Sequence, residues 1–272
     1  MAENEARVSI FDRGFLMADG VYEVTSVLDG KLLEYEGHTK RLVRSLNELD
    51  MARPKDFDAL LDIHRELVRL NKVEQGSVYL QVTRGVADRD FAYPKDAAPT
   101  LVLFTQSKPL LDTPASRSGI KVIVIEDLRW GRRDIKTVQL LYPSMGKMMA
   151  KAAGCDDAWM VKDGFITEGT SNNAYIAKGS KIITRQLSND ILHGITRHSL
   201  LEYAREAQMQ VEERPFTLQE AQAADEAFIS SASTFVLPVV EIDGVPIGDG
   251  IPGTTAKRLR DIYIVESRKR AI

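Results

Sequence analysis

The stretch Arg132-Arg-Asp-Ile-Lys136-Thr137 lies near the middle of this 272-residue chain and runs into Val138, Leu140, Leu141 and Tyr142. A lysine set between a cationic run and an apolar one is a candidate nucleophile. Desolvation and neighbouring positive charge both disfavour the ammonium, and only the neutral amine attacks a carbonyl carbon. Read alone, Lys136 is more often a solvated surface charge. Three other local patterns change its weight: His38-Thr-Lys-Arg41, Glu168-Gly-Thr-Ser-Asn-Asn173 and His193-Gly-Ile-Thr-Arg197.

Glu168 offers a fixed carboxylate that holds a ring nitrogen protonated by opposite charge; the bland alternative is a polar turn between hairpins. Gly194 precedes a predicted helix start. Backbone N–H groups there have no intrahelical partner and the dipole favours an anion, so the amides of Ile195 and Thr196 and the Thr196 hydroxyl are candidate phosphate donors. The alternative is simple capping by Thr196. Ser231, Ala232 and Ser233, within Ser230-Ser-Ala-Ser-Thr234, supply similar donors from a second loop. Arg41 is either a bidentate phosphate anchor or part of a solvated helix face beside Lys40 and Arg44.

Hydrophobic residues make up 44% of the chain, charged residues 28%, and the net charge is −3. These values describe an ordinary globular protein with no basic footprint for nucleic acid. Cys155 is the only cysteine, so no intrachain disulfide forms. No run approaches the roughly 18 apolar residues of a membrane span, and Met1–Arg7 is acidic without an apolar signal-like core. A cytoplasmic location is expected. The four histidines are not spaced for a metal site, no dinucleotide or Walker fingerprint is present, and no serine sits in a nucleophile elbow.

Periodicity predicts strands over 21–28 and 31–35 around Asp29-Gly30, helices over 36–49 and 57–71, and buried strands over 77–84 and 100–106. Residues 108–119, with Pro109, Pro114 and Gly119, are the expected linker. It divides an N-terminal domain, 1–107, from a C-terminal one, 120–272. The second half is rich in hairpin turns, with helices predicted over 144–153 (Ser144 as N-cap), 196–208, 217–224 and 254–268. Frequent hairpins argue for a mixed, barrel-like sheet with helices outside. Gly146 falls inside a predicted helix, where alanine is better by about 1 kcal/mol.

An amine for an aldehyde, an anion for a pyridine nitrogen and donors for a phosphate are together what pyridoxal 5′-phosphate (PLP) requires. With Asp12-Arg-Gly-Phe15, Asp19-Gly-Val-Tyr-Glu-Val24, Val82-Thr-Arg-Gly85 and Glu241-Ile-Asp-Gly244, the set resembles the fold-type IV PLP enzymes. It is most similar to the D-amino-acid aminotransferases, over nearly the whole chain. The resemblance implies an α+β, two-domain protomer with a small α/β N-terminal domain, a larger barrel-like mixed-sheet C-terminal domain, PLP between them, and a homodimer. It implies Lys136 as the Schiff-base lysine and Glu168 as the partner of the pyridine nitrogen. Arg41, Ile195, Thr196, Ser231, Ala232 and Ser233 would hold the phosphate, and Tyr22, Val24 and Arg89 the substrate. The implied activity moves an amino group between D-amino acids, such as D-alanine or D-glutamate, and 2-oxo acids, such as 2-oxoglutarate or pyruvate. Alternatives on the same fold are an (R)-selective amine transaminase, a branched-chain L-amino-acid aminotransferase and a catalytically silent PLP-binding scaffold. One departure bears on specificity: Phe91 stands where these enzymes carry the histidine of an Arg-x-His pair, so a carboxylate donor is lost.

Overall fold

Asp29 and Gly30 both adopt left-handed backbone, with φ of 53° and 71°, as a type I′ hairpin turn demands. They join β1 (Gly20–Leu28) to a short β2 (Lys31–Leu32). The second strand ends earlier than its pattern predicts, because Glu34 turns left-handed (φ 54°) and starts α2 (Tyr35–Glu48). A helix α1 (Arg13–Met17), capped by Asp12, precedes β1. α3 (Leu60–Leu70), β3 (Gln75–Thr83) and β4 (Thr100–Ser107) follow. The sheet is antiparallel, in the order β2-β1-β3-β4. Its period-2 alternation sends Val21, Leu80 and Val82 against Leu42 and Leu46 of α2 and Leu60 of α3. The other face carries Tyr22, Tyr79 and Phe104, stacked in a row with ring centres 5.5 and 4.7 Å apart. β4 is the edge strand and is half exposed rather than buried.

The computed structural model describes residues 1–272 and resolves two units: Met1–Ser107 with Ile135–Gln139, and Lys108–Asp134 with Leu140–Ile272. The five residues around Lys136 thus leave the second unit. Ile135 is buried in the first unit's core, the Tyr22 amide donates to the Lys136 carbonyl (3.0 Å), and the Val138 amide donates to Gly20 (3.1 Å). Residues 108–119, expected as a linker, instead carry α4 (Pro114–Ser118), capped by Thr113. Leu110 is buried there, and the segment packs as part of the second unit.

That unit is built on β5 (Ile120–Glu126), β6 (Asp157–Lys162), β7 (Phe165–Gly169), β8 (Asn173–Lys178), β9 (Lys181–Thr184), β10 (Gln210–Glu213), β11 (Glu226–Ser231), β12 (Phe235–Ile242) and β13 (Val245–Pro246). The order is β10-β9-β8-β11-β12-β5-β6-β7, with β13 on β12. β9–β10, β5–β12 and β5–β6 are parallel and the other pairs antiparallel. Val122, Trp159, Ile166, Ile176, Ile183, Ile229 and Val239 come from seven of these strands yet meet in one core. The sheet therefore curls into a half-barrel.

The unit's longer helices are α5 (Leu141–Ala152), α6 (Ile195–Glu206) and α8 (Thr254–Lys269), with a short α7 (Leu218–Gln222). α5 begins before its predicted start. Pro143 is tolerated in its first turn, and the Ser144 hydroxyl donates to the Leu140 carbonyl (2.8 Å) instead of capping. No helix is long and apolar enough to cross a membrane.

Gly146 is a packing site. A Cβ there would lie 2.8 Å from Ile125 Cδ1 and 3.3 Å from Thr170 Cγ2. Gly146→Ala displaces only the end of the Ile125 side chain and gains about 1 kcal/mol of helix propensity, so its stability stays within about 1 kcal/mol of the parent. Gly146→Leu overpacks the α5–sheet contact and loses about 1–3 kcal/mol or more. Urea unfolding of both variants checks the ordering; a Leu variant as stable as the Ala variant contradicts it.

Candidate active site

In the first unit, Lys136 is half-buried and its Nζ lies 4.0 Å from the Tyr22 ring centre. Alternation along β1 puts Tyr22 and Val24 on the sheet face away from the helices. Their neighbour Glu23 points to the helix side, where α2 presents His38 and Arg41. Arg41 Nε donates to Glu23 Oε1 (2.8 Å) and Arg41 Nη2 to Oε2 (2.6 Å). His38 Nδ1 is 2.8 Å from the same Oε2. Arg41 is therefore neither a solvated helix residue nor an arginine whose charge stands unmatched. It is a buried partner of a buried carboxylate. Burial alone would raise the Glu23 pKa, but the charge and hydrogen bonds of Arg41, then those of His38, hold it at about 2, below its ordinary 4.5. The sequence hid this pair because Glu23 reads as the polar member of an alternating strand. Its signal was a charge on the same face as Val21 and Val27.

Arg89 is not brought to Tyr22, Val24 or Lys136 within this unit. It lies exposed in the loop 84–99, its guanidinium 5.8 Å from the ring centre of Phe91, which is itself 80% exposed. Arg13 anchors that loop through the Asp90 carbonyl (2.6 Å), and Arg84 through the Tyr93 ring, 3.5 Å from its centre.

In the second unit, Glu168 is buried at the end of β7. Its Oε1 accepts from Arg129 Nη1 (2.7 Å), and its Oε2 from the Leu192 amide (3.0 Å) and Asn173 Nδ2 (3.1 Å). Burial raises its pKa, and the charge and hydrogen bond of Arg129 only partly offset that. Arg129 is shared: its Nη2 donates to Asp127 (2.7 Å), which also accepts from Arg133 and from the Thr167 hydroxyl. The positive charges flanking Lys136 in sequence are thus committed. Arg133 bonds Asp127 and Asp190, and Arg132 bonds Asp134. Arg129 and Asp127 had no local signal in sequence, since each matters through a residue about 40 positions away.

Asn173 links the carboxylate to the start of α6. Its Nδ2 also donates to the Leu192 carbonyl (3.0 Å), and a Cβ on Gly194 would lie 2.2 Å from its Oδ1. A larger residue there would push Asn173 off its hydrogen bonds, and Gly194 is the N-cap. Thr196 therefore does not cap the helix. It sits in the first turn, 3% exposed, and its Oγ1 has no hydrogen-bond partner. Asn173 also pairs with Ser230 across β8 and β11, which sets the turn Ser231–Thr234 beside the helix start. In that turn Ser231 Oγ is 2.8 Å from Thr234 Oγ1 and 3.2 Å from Ser233 Oγ. No group of three or more His, Cys, Asp or Glu is arranged to hold a metal ion.

The chain belongs to the amino-transferase class IV family, whose pattern it matches over residues 20–242. It is 38% identical over 262 residues to the D-alanine aminotransferase of Bacillus licheniformis, covering 96% of this chain and 92% of that one. It is 36% identical over 271 residues to the D-alanine aminotransferase of Staphylococcus haemolyticus, covering 98% and 95%. Its fold is that of the branched-chain amino acid aminotransferase of Escherichia coli, with a TM-score of 0.90 at 20% identity over 97% of this chain and 91% of that one.

The Glu23–Arg41 pair has a pH signature. A carboxyl held below its unfolded value stabilises the ionised fold. That contribution is complete above 4.5 and is lost as pH falls towards about 2. Stability measured by urea unfolding should fall more steeply through this window in the wild type than in Glu23→Gln. Parallel curves would show that the pair is not ionised as described.

Proposed function

We propose that this protein is a PLP-dependent aminotransferase that moves an amino group between D-amino acids, such as D-alanine or D-glutamate, and 2-oxo acids, such as pyruvate or 2-oxoglutarate. The observation that carries the substrate class is the 36–38% identity to D-alanine aminotransferases across nearly their whole length. The likeness to branched-chain enzymes, at 20% identity, speaks for the fold alone.

The residues present suit PLP. The unpartnered, buried Thr196 hydroxyl at a helix start is the observation that fits a phosphate group best, because a buried hydroxyl without a partner costs roughly 1–3 kcal/mol. The amides of Ile195 and Thr196 and the turn Ser231, Ala232, Ser233 complete the donor set. When bound, the cofactor supplies an electrophilic aldehyde and an electron-accepting ring. Lys136 would hold the cofactor through its amine, and that amine, once displaced by the amine of the substrate, would be free to move a proton at the substrate Cα. Glu168 would face the pyridine nitrogen and favour its protonated form, with Arg129 offsetting part of the burial that raises the Glu168 pKa. Tyr22 orients Lys136 through the face of its ring, with Val24 beside it on the same strand face. Arg41 is read mainly as the partner of Glu23 and contributes to phosphate binding from that fixed position. Arg89 holds the substrate carboxylate. Phe91 donates no hydrogen bond, so the carboxylate has one strong anchor in place of two. A homodimer is part of the same reading, and exposed Phe91, Phe15 and Ile10 suit a second copy as their cover. A lone cysteine agrees with a reducing, cytoplasmic setting.

Borohydride treatment of the yellow protein followed by peptide mapping should place the pyridoxyl label on Lys136, and Lys136→Ala should abolish turnover. A label on another lysine refutes the assignment. Half-reactions followed by cofactor absorbance should run faster with D-alanine than with L-leucine. Arg89→Ala should lower kcat/KM for D-alanine by about 10- to 150-fold, the value of one charged hydrogen bond, and spare (R)-1-phenylethylamine, which has no carboxylate. Faster reaction with L-leucine would favour the branched-chain reading instead.

A further inference from the structure

α8 is pinned to the strand whose far end forms the hydroxyl turn. Glu226, the first residue of β11, accepts from the Thr255 amide (2.8 Å) and the Ala256 amide (3.0 Å) in the first turn of α8. The buried stripe of α8 is Ala256, Leu259, Arg260, Tyr263 and Ser267. Helical spacing thus puts an arginine where an apolar residue belongs. Burying a guanidinium costs several kcal/mol unless it is matched, and no carboxylate bonds Arg260.

Its partners are four backbone carbonyls. Nη1 donates to Thr234 and Val236, both at 2.8 Å. Nη2 donates to Leu111 (2.9 Å) and Leu110. The first two acceptors bracket Phe235, which holds a left-handed φ of 57°. A bulky residue in that region is strained by about 1–3 kcal/mol and persists only where its surroundings enforce it. Here they do: the Phe235 ring is buried and packs on Tyr263, ring centres 5.3 Å apart. In a trans peptide the carbonyl and the following N–H point opposite ways. Turning the Thr234 carbonyl to Arg260 therefore turns the Phe235 N–H away from it. An unmatched buried cation also leaves positive potential beside the turn, which favours an anion there.

We propose that Arg260 is a positioning residue that holds the Ser231–Thr234 turn pre-formed, and electrostatically biased, for a phosphate group. The proposal rests on the reading of that turn and the α6 start as the phosphate site. It assigns Arg260 no contact with the cofactor.

The test uses the full-length chain freed of cofactor. Affinities for PLP, for pyridoxal, which lacks the phosphate, and for inorganic phosphate are measured by titration in wild type, Arg260→Lys, Arg260→Gln and Thr196→Val. Arg260→Gln should weaken PLP and inorganic phosphate about tenfold to hundredfold, the range for removing a group that orients a ligand's direct contacts, and leave pyridoxal unchanged. Arg260→Lys, which keeps the charge but not the fork, should fall between. Equal losses for PLP and pyridoxal would mean a merely structural role and overturn the proposal, as would unchanged affinities in the Arg260 variants beside weakened phosphate binding in Thr196→Val. Unchanged phosphate binding in Thr196→Val as well would overturn the phosphate reading itself. Should the Arg260 variants fail to fold, amide hydrogen exchange on the wild type decides. Residues 231–236 should already be protected without PLP. A turn that becomes protected only on binding is not pre-formed, and Arg260 then has no such role.

Discussion

A buried carboxylate needs donors to offset its lost hydration, and Glu168 has three. Arg129, the Leu192 amide and Asn173 each bond it. Arg129 is fixed in turn by Asp127, and Asp127 by Arg133. Charges alternate along this chain. Buried ion pairs seldom add net stability, since desolvation cancels much of the attraction. What they add is position: removing any member strands a charge. Asn173 extends the constraint to the elements proposed to bind the phosphate. It requires Gly194 at the start of α6 and, through Ser230, fixes where the hydroxyl turn begins. One carboxylate with its partners thereby sets the geometry of the second unit's whole candidate site.

The first unit solves a different problem with one strand. β1 must keep a cationic clamp on its helix side and an open aromatic face on the other, and alternation does both. Glu23 ties α2 to the sheet through Arg41 and His38, while Tyr22 sits under the Lys136 Nζ. Ile135 is the anchor that keeps Lys136 on this face. Its side chain is buried in the unit's core, so the lysine is carried by packing and not by a mobile loop.

Much of this was legible in the sequence. Asp-Gly turns placed the hairpins, amphipathic periodicity placed α2, α3, α6 and α8, and local pattern placed Glu168 at a strand end and Gly194 at a helix start. Most of what the sequence hid depends on partners far away in the chain. β10 is a short parallel edge strand whose Gln210-Val-Glu-Glu sequence has no apolar alternation. Residues 108–119 look like a linker by composition, yet Leu110 is buried and two carbonyls in the segment bind Arg260. The Arg41–Glu23 pair joins a helix to a strand 18 positions earlier. Ser144 looked like a cap because a proline preceded it, whereas Pro143 lies inside the first turn of α5. Local pattern sees helix faces and turns; it does not see which buried charge meets which.

The role proposed for Glu168 is to keep the cofactor's ring nitrogen protonated. Nitrogen-15 NMR of the protein loaded with ring-labelled PLP observes that nitrogen directly. A protonated shift in the wild type that is lost in Glu168→Gln is the expected result. An unprotonated nitrogen in the wild type, or a protonated one in both proteins, would contradict the account.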